Sequence, residues 1–221
     1  KKAITTIAIT TLLATSAISF QASATEGLSA NVAMSSNYLW RGVTQSSDDA
    51  AISGGIDYAH SSGFYTGTWV STASWAPGMS YELDLYGGYS ADINESMSYD
   101  VGFIYYAYPD EASGDADFSE IYGSFSFSNL TLGVAVLTTG EGADVADTIY
   151  ASADYTLTLS NEAEVAFHVG SYSGDWLTDD YIDYGVSLNK DGFTFGASAT
   201  DLDDGAGDVK FYVAYSMDID L

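Results

Sequence analysis

The chain has 221 residues, with 31 acidic side chains against five basic ones, 22 glycines, 18 tyrosines and no cysteine. A formal charge of −26 leaves no basic patch to offset phosphates, so nucleic acid is excluded as a partner. With no thiol, a disulfide framework and a zinc thiolate site are excluded too.

Lys1 and Lys2 open an apolar stretch, Ala3 to Phe20, that ends in the small-residue pattern Ala22-Ser23-Ala24. This predicts a secretory signal peptide over 1–24, with a mature domain over 25–221. An N-terminal membrane anchor is the alternative, but the stretch is diluted by Thr and short of the roughly 20 apolar residues of a helical span. After removal of 1–24 the basic residues are Arg41, Lys190 and Lys210 alone, and the formal charge is −28.

From there to the C-terminus the pattern alternates with period two, punctuated by Gly, Asn, Asp and Ser. It predicts twelve strands, at about 28–43, 50–60, 63–72, 80–92, 97–108, 117–127, 130–139, 147–158, 163–172, 181–190, 192–200 and 209–221. Each is about as long as the 9–11 residues a tilted strand needs to cross a bilayer. The connections alternate in length. Thr44–Asp49, Ala73–Met79, Pro109–Ala116, Gly140–Ala146, Ser173–Asp180 and Asp201–Asp208 are long. Ser61-Ser62, Ile93–Ser96, Ser128-Asn129, Asn161-Glu162 and Asp191 are short. An even strand count with short turns at one end and longer loops at the other predicts an all-β fold, a transmembrane antiparallel up-and-down barrel in the cell outer membrane of a Gram-negative bacterium. A soluble β-sandwich would share the alternation but not the regular loop lengths.

The faces divide consistently. In the last strand Phe211, Val213, Tyr215, Met217, Ile219 and Leu221 oppose Lys210, Tyr212, Ala214, Ser216, Asp218 and Asp220. Strand 63–72 is the exception, since neither of its faces is clearly apolar. The acids inside the strands, among them Asp57, Glu82, Asp84, Asp100, Glu120, Asp154, Glu164 and Asp183, all fall opposite the apolar face. In a barrel that places them in the lumen. Tyr38, Trp40, Tyr81 and Tyr105 at one end, and Tyr58, Tyr89, Tyr99 and Phe127 at the other, are expected to form interfacial girdles.

Twelve strands lie between small barrels filled by side chains and large ones with an aqueous channel. The inward acids face only Arg41, Lys210 and His168, too few bases to pair them in a dry core, so a wet lumen is expected. Arg41 and Lys210 are expected near the outer mouth, on the first and last strands, which must adjoin when the barrel closes. They read equally as a charge-lined entrance or as an ion pair fixing the seam. His168 is expected to hydrogen-bond in the lumen rather than to act in catalysis. The acidic loop of Asp201, Asp203, Asp204 and Asp208 fails the EF-hand spacing and reads as a solvated loop, so neither a metal nor a cofactor is expected. No nucleophile elbow, P-loop, zincin or dinucleotide motif is present, and an enzyme is not expected.

The segment Ser35-Ser36-Asn37-Tyr38-Leu39-Trp40-Arg41-Gly42-Val43-Thr44-Gln45-Ser46 resembles the signature of the TorF family of porins. So do Ile52-Ser53-Gly54-Gly55-Ile56-Asp57-Tyr58, Gly63-Phe64-Tyr65 and Glu82-Leu83-Asp84-Leu85-Tyr86-Gly87-Gly88-Tyr89. The resemblance implies a proteobacterial outer-membrane barrel and marks Arg41 as a motif position, but brings no substrate. Together these readings predict a porin-like channel for passive diffusion of small hydrophilic solutes, preferring cations. Its expected lining is Arg41, Asp57, Glu82, Asp84, Asp100, Glu120, Asp154, Glu164, Asp183 and Lys210. The expected partners are outer-membrane lipid and lipopolysaccharide, the barrel-assembly machinery during biogenesis, and small solutes or cations. The alternative is a non-conducting barrel whose acidic outer loops bind a surface partner or stabilise the envelope.

Overall fold

The computed structural model describes residues 27–114, 116–203 and 205–221, so the signal peptide expected over 1–24 lies outside the described residues. In chain order the strands are β1 (Leu28–Ser35), β2 (Leu39–Trp40), β3 (Val43–Thr44), β4 (Ala51–Ala59), β5 (Phe64–Thr72), β6 (Tyr81–Asn94) and β7 (Met97–Ala107). They continue as β8 (Phe118–Phe127), β9 (Leu130–Thr139), β10 (Thr148–Thr158), β11 (Glu164–Gly174), β12 (Tyr181–Lys190), β13 (Phe193–Thr200) and β14 (Lys210–Asp220).

Twelve of these, all but β2 and β3, form one closed antiparallel barrel in which each strand pairs with its neighbours in sequence. Closure occurs at β1, which pairs with β14 on one side (Met34 opposite Tyr215) and with β4 on the other (Met34 opposite Ile52). Short turns hold the register. At Asp191-Gly192, between the paired Lys190 and Phe193, both residues take positive φ, the type I′ geometry whose twist matches flanking strands.

Alternation then decides which residues meet which medium. Along β5, Phe64, Thr66, Thr68, Val70 and Thr72 are exposed while Tyr65, Gly67, Trp69 and Ser71 are buried. Around the barrel Leu85, Phe103, Ile121, Leu132, Phe167 and Val213 stand outward and exposed. A water-soluble monomer does not carry an apolar belt of this extent, whereas a bilayer solvates it. At the short-turn end Phe64 packs on Tyr89 at 5.0 Å and Phe193 on Tyr215 at 4.7 Å, as in an interfacial girdle.

One predicted strand is corrected. Alternation continues from 28 to 43, but the barrel strand ends at Ser35, and residues 36–50 turn into the lumen as a loop carrying the β2–β3 hairpin. Tyr38 and Trp40 therefore do not belong to a lipid-facing girdle. Tyr38 is buried, and Trp40 packs against the inner wall. Strand β5 looked ambiguous because its inward face carries Tyr65 and Trp69, which pack inside the barrel.

Candidate functional site

The tip of the inward hairpin is the centre of the site. Leu39 pairs with Thr44 and Trp40 with Val43, leaving Arg41-Gly42 as a two-residue turn with φ of 50° and 80°. Both positive values define a type I′ turn, for which Asn-Gly or Asp-Gly is the usual sequence. Gly42 is required twice over, since a Cβ there would come within 2.5 Å of Thr200 Cγ2 and 2.8 Å of Asp183 Cβ. Arg41 has no such excuse, and a non-glycine residue in this region costs about 1–2 kcal/mol.

What offsets that cost is the far end of the side chain. Arg41 Nη1 and Nη2 donate to Glu120 Oε1 and Oε2 on β8 at 2.9 and 2.7 Å, a bidentate fork with both side chains only 1% exposed. Such forks are among the stronger hydrogen-bonded pairs in proteins. The guanidinium carbon lies 4.1 Å from the Trp40 ring centroid, 4.3 Å from that of Tyr150 and 4.5 Å from that of Tyr172. Trp40 in turn meets Tyr106, Phe118 and Tyr172 edge to face. The long-loop half of the lumen is thus a packed aromatic core around Trp40.

The loop is pre-shaped by its own polar groups. Asn37 Nδ2 donates to Asp48, and the Asn37 side-chain oxygen Oδ1 accepts from Thr44 and Ser46. Tyr38 packs on Trp69 at 5.4 Å and donates its hydroxyl to Glu82 at 2.9 Å. At the mouth Lys210 Nζ donates to Asp48 Oδ2 at 2.8 Å, clasping the loop to β14. That hydrogen bond holds the Asp48 carboxyl below its ordinary pKa. Nearby, hydrogen bonding from Ser80 does the same for Asp110 in the loop after β7.

The expected lining residues are found as follows. Asp57, Glu82, Asp84, Asp100, Glu120, Asp154 and Asp183 are buried inside the barrel, while Glu164 and Lys210 are half-buried. Arg41 lies not on a barrel strand but on the inward hairpin, inside the long-loop half of the lumen, and it pairs across to Glu120. The seam ion pair involves Lys210 with Asp48 instead.

Tyrosine hydroxyls, rather than bases, supply many of the donors to the inward acids: Tyr65 to Asp100 at 2.8 Å, Tyr106 to Glu120 at 3.3 Å, Tyr150 to Asp183 at 3.2 Å, and Tyr86 to Asp57. A carboxylate accepts only, and the phenol offers it a donor on an otherwise apolar ring, so acid and ring pack together along the inner wall. His168 sits among these groups, with Nδ1 at 2.6 Å from Asp154 and Nε2 at 2.7 Å from Asp183.

These tyrosines are functional neighbours that sequence reasoning assigned no role. One signal for them exists: several lie directly opposite an inward glycine on the next strand, as Tyr65 does Gly88, Tyr86 Gly67, Tyr122 Gly102 and Tyr212 Gly196. The rings lie over those glycines so closely that an added Cβ at Gly88 would come 2.6 Å from Tyr65 Cζ, and one at Gly102 2.5 Å from Tyr122 Cζ.

Among solved structures, the KdgM porin aligns over 87% of this chain and 99% of its own, with a TM-score of 0.56 and 10% sequence identity. A KdgM porin in complex with disordered oligogalacturonate aligns over 88% and 98%, with a TM-score of 0.53 and 11% identity. At such identities the likeness is one of fold, and it agrees with the closed twelve-strand outer-membrane barrel. No curated protein sequence matches. Residues 19–217 match the profile of a family described as a bacterial protein of unknown function, Gcw_chp. The match takes in the strands from β1 to β13, the inward hairpin and most of β14, and by it the chain belongs to the Gcw_chp family.

Proposed function

We propose that the protein is a porin-like channel of the TorF type, passing small hydrophilic solutes by diffusion with a preference for cations, through a lumen narrowed by its inward first loop. The observation that carries this reading is the inner wall itself, where seven carboxylates among the described residues are buried, from β4, β6, β7, β8, β10 and β12. Fixed negative charge on a low-dielectric wall raises the local concentration of cations and repels anions. The lining would comprise Asp57, Glu82, Asp84, Asp100, Glu120, Asp154, Glu164 and Asp183, with Arg41 and Lys210 on the loop and its clasp. KdgM has been seen with oligogalacturonate, a polyanion. An acidic wall argues that the solute here belongs to a different class.

A second reading, a non-conducting barrel, is favoured by the aromatic packing of Trp40 and the buried Arg41–Glu120 fork, which obstruct the long-loop half. In either case the apolar belt suits outer-membrane lipid, and the acidic outer loops suit divalent bridging to lipopolysaccharide. The alternating last strand suits the barrel-assembly machinery, and 1–24 would serve as an export signal. Planar-bilayer recording across a salt gradient separates the readings. The channel reading expects small, cation-selective conductance. Absence of channels, or an anion-selective reversal potential, would overturn it.

A further inference from the structure

Apart from Trp40, which is carried on the hairpin itself, the groups that hold Arg41 belong to the barrel wall. Glu120 is on β8, Tyr106 on β7, Tyr150 on β10 and Tyr172 on β11, and Tyr106 steadies the carboxylate by donating to Glu120 Oε2. We propose that this wall is a binding site for guanidinium-bearing organic cations, and that Arg41 occupies it as an internal ligand while the first loop is folded in. The proposal deepens the reading of the lumen as a cation path and rests on it for its physiological meaning.

Three observations support an occupied site rather than a simple brace. First, the wall addresses only the terminal fork. Both Nη atoms reach Glu120, while the buried Arg41 Nε has no hydrogen-bond partner among the described residues. Any monosubstituted guanidinium presents that same end. Second, the fork is presented on a turn whose Arg41 φ of 50° is unfavourable for an L-residue, so the loop gives up strain on leaving while the wall retains its shape. Third, the chemistry is selective. A carboxylate receiving two parallel N–H groups beneath aromatic faces matches a planar guanidinium, and an ammonium of equal charge cannot form the fork. A solute of that class would displace Arg41, and the hairpin carrying Trp40 would follow it out of the lumen.

The test uses the whole barrel in detergent, with heat-modifiable electrophoretic mobility as the check of folding. Arg41→Ala is titrated with methylguanidinium and with methylammonium, reading intrinsic fluorescence and thermal midpoint. The expected result is saturable binding of methylguanidinium, at least about tenfold tighter than methylammonium. That preference should be absent from the Arg41→Ala/Glu120→Gln double variant and much weaker in the wild type, whose site is filled. No saturable binding to Arg41→Ala, equal binding to wild type, or a preference that survives Glu120→Gln would each overturn the proposal. If Arg41→Ala fails to form a barrel, Arg41→Lys keeps a cation on the loop without the fork, and the same comparison with its Glu120→Gln double decides. Selective binding without conductance supports this site and overturns the channel reading. Conductance without selective binding does the reverse.

Discussion

Arg41 shows how much of the inner architecture hangs on one side chain. Its fork to Glu120 is buried at both ends, so removing one partner leaves the other charged and unpaired. Arg41→Ala and Glu120→Gln are each expected to lower unfolding free energy by about 3–5 kcal/mol. The double variant should lose less than the sum, because neither charge is then stranded. Urea unfolding in detergent, arranged as a double-mutant cycle, reads the coupling, and additive losses would mean the fork is solvated. Gly42→Ala tests the turn beneath it. Positive φ and the approach of Thr200 together predict a loss of about 1–3 kcal/mol and faster proteolysis of the loop. From the sequence, Arg41-Gly42 lacked the Asn or Asp that announces a type I′ turn, and the alternation ran straight through it.

At the scale of elements, the first loop is held at its mouth by the clasp of Lys210 on β14 to Asp48. The Asp48 pKa is depressed by this bond, so the stabilisation is present above the ordinary carboxylate range and disappears as pH falls through the lowered value. With Asp48 half exposed, the pair is worth no more than about 1 kcal/mol. Lys210→Met should therefore leave the thermal midpoint nearly unchanged but increase the mobility of a spin label at Ser47, an effect that acidification of the wild type reproduces. An unchanged label spectrum in both would show that the clasp does not restrain the loop. Strands were far more legible than this loop. β9 and β12 occupy the residues that alternation assigns them, and most other strand ends differ by one or two residues, because each strand has lipid on one side and packed polar groups on the other. A loop that folds inward has no such two-faced medium to impress a period on it.

For the whole molecule the question is how much cross-section the inward loop removes. Replacing 39–44 with a short Gly/Ser link leaves all twelve barrel strands intact and withdraws Trp40 and Arg41 from the lumen. Single-channel conductance is expected to rise several-fold over wild type, with cation selectivity retained because the wall carboxylates remain. Conductance equal to wild type would place the constriction elsewhere. The charge of the chain also takes on a spatial meaning at this scale. Among the described residues seven carboxylates are buried in the lumen, and tyrosine hydroxyls serve as donors to several of them.

Sequence by itself determined the barrel: the strand number, the order of long and short connections, the lipid-facing parity and the inward direction of the acids. Those follow from local rules, because a strand between two media must alternate, and a hairpin meander needs no distant information to be drawn. Only the tertiary structure decided what fills the lumen. Arg41 meets Glu120 across 79 positions of sequence, and Tyr38 meets Glu82 across 44. Such contacts arise from closure of the sheet, which brings opposite walls within reach of one loop. The tyrosines that donate to the inward acids reach them from neighbouring strands of the same wall, a pairing that the sheet register sets and that alternation alone does not reveal.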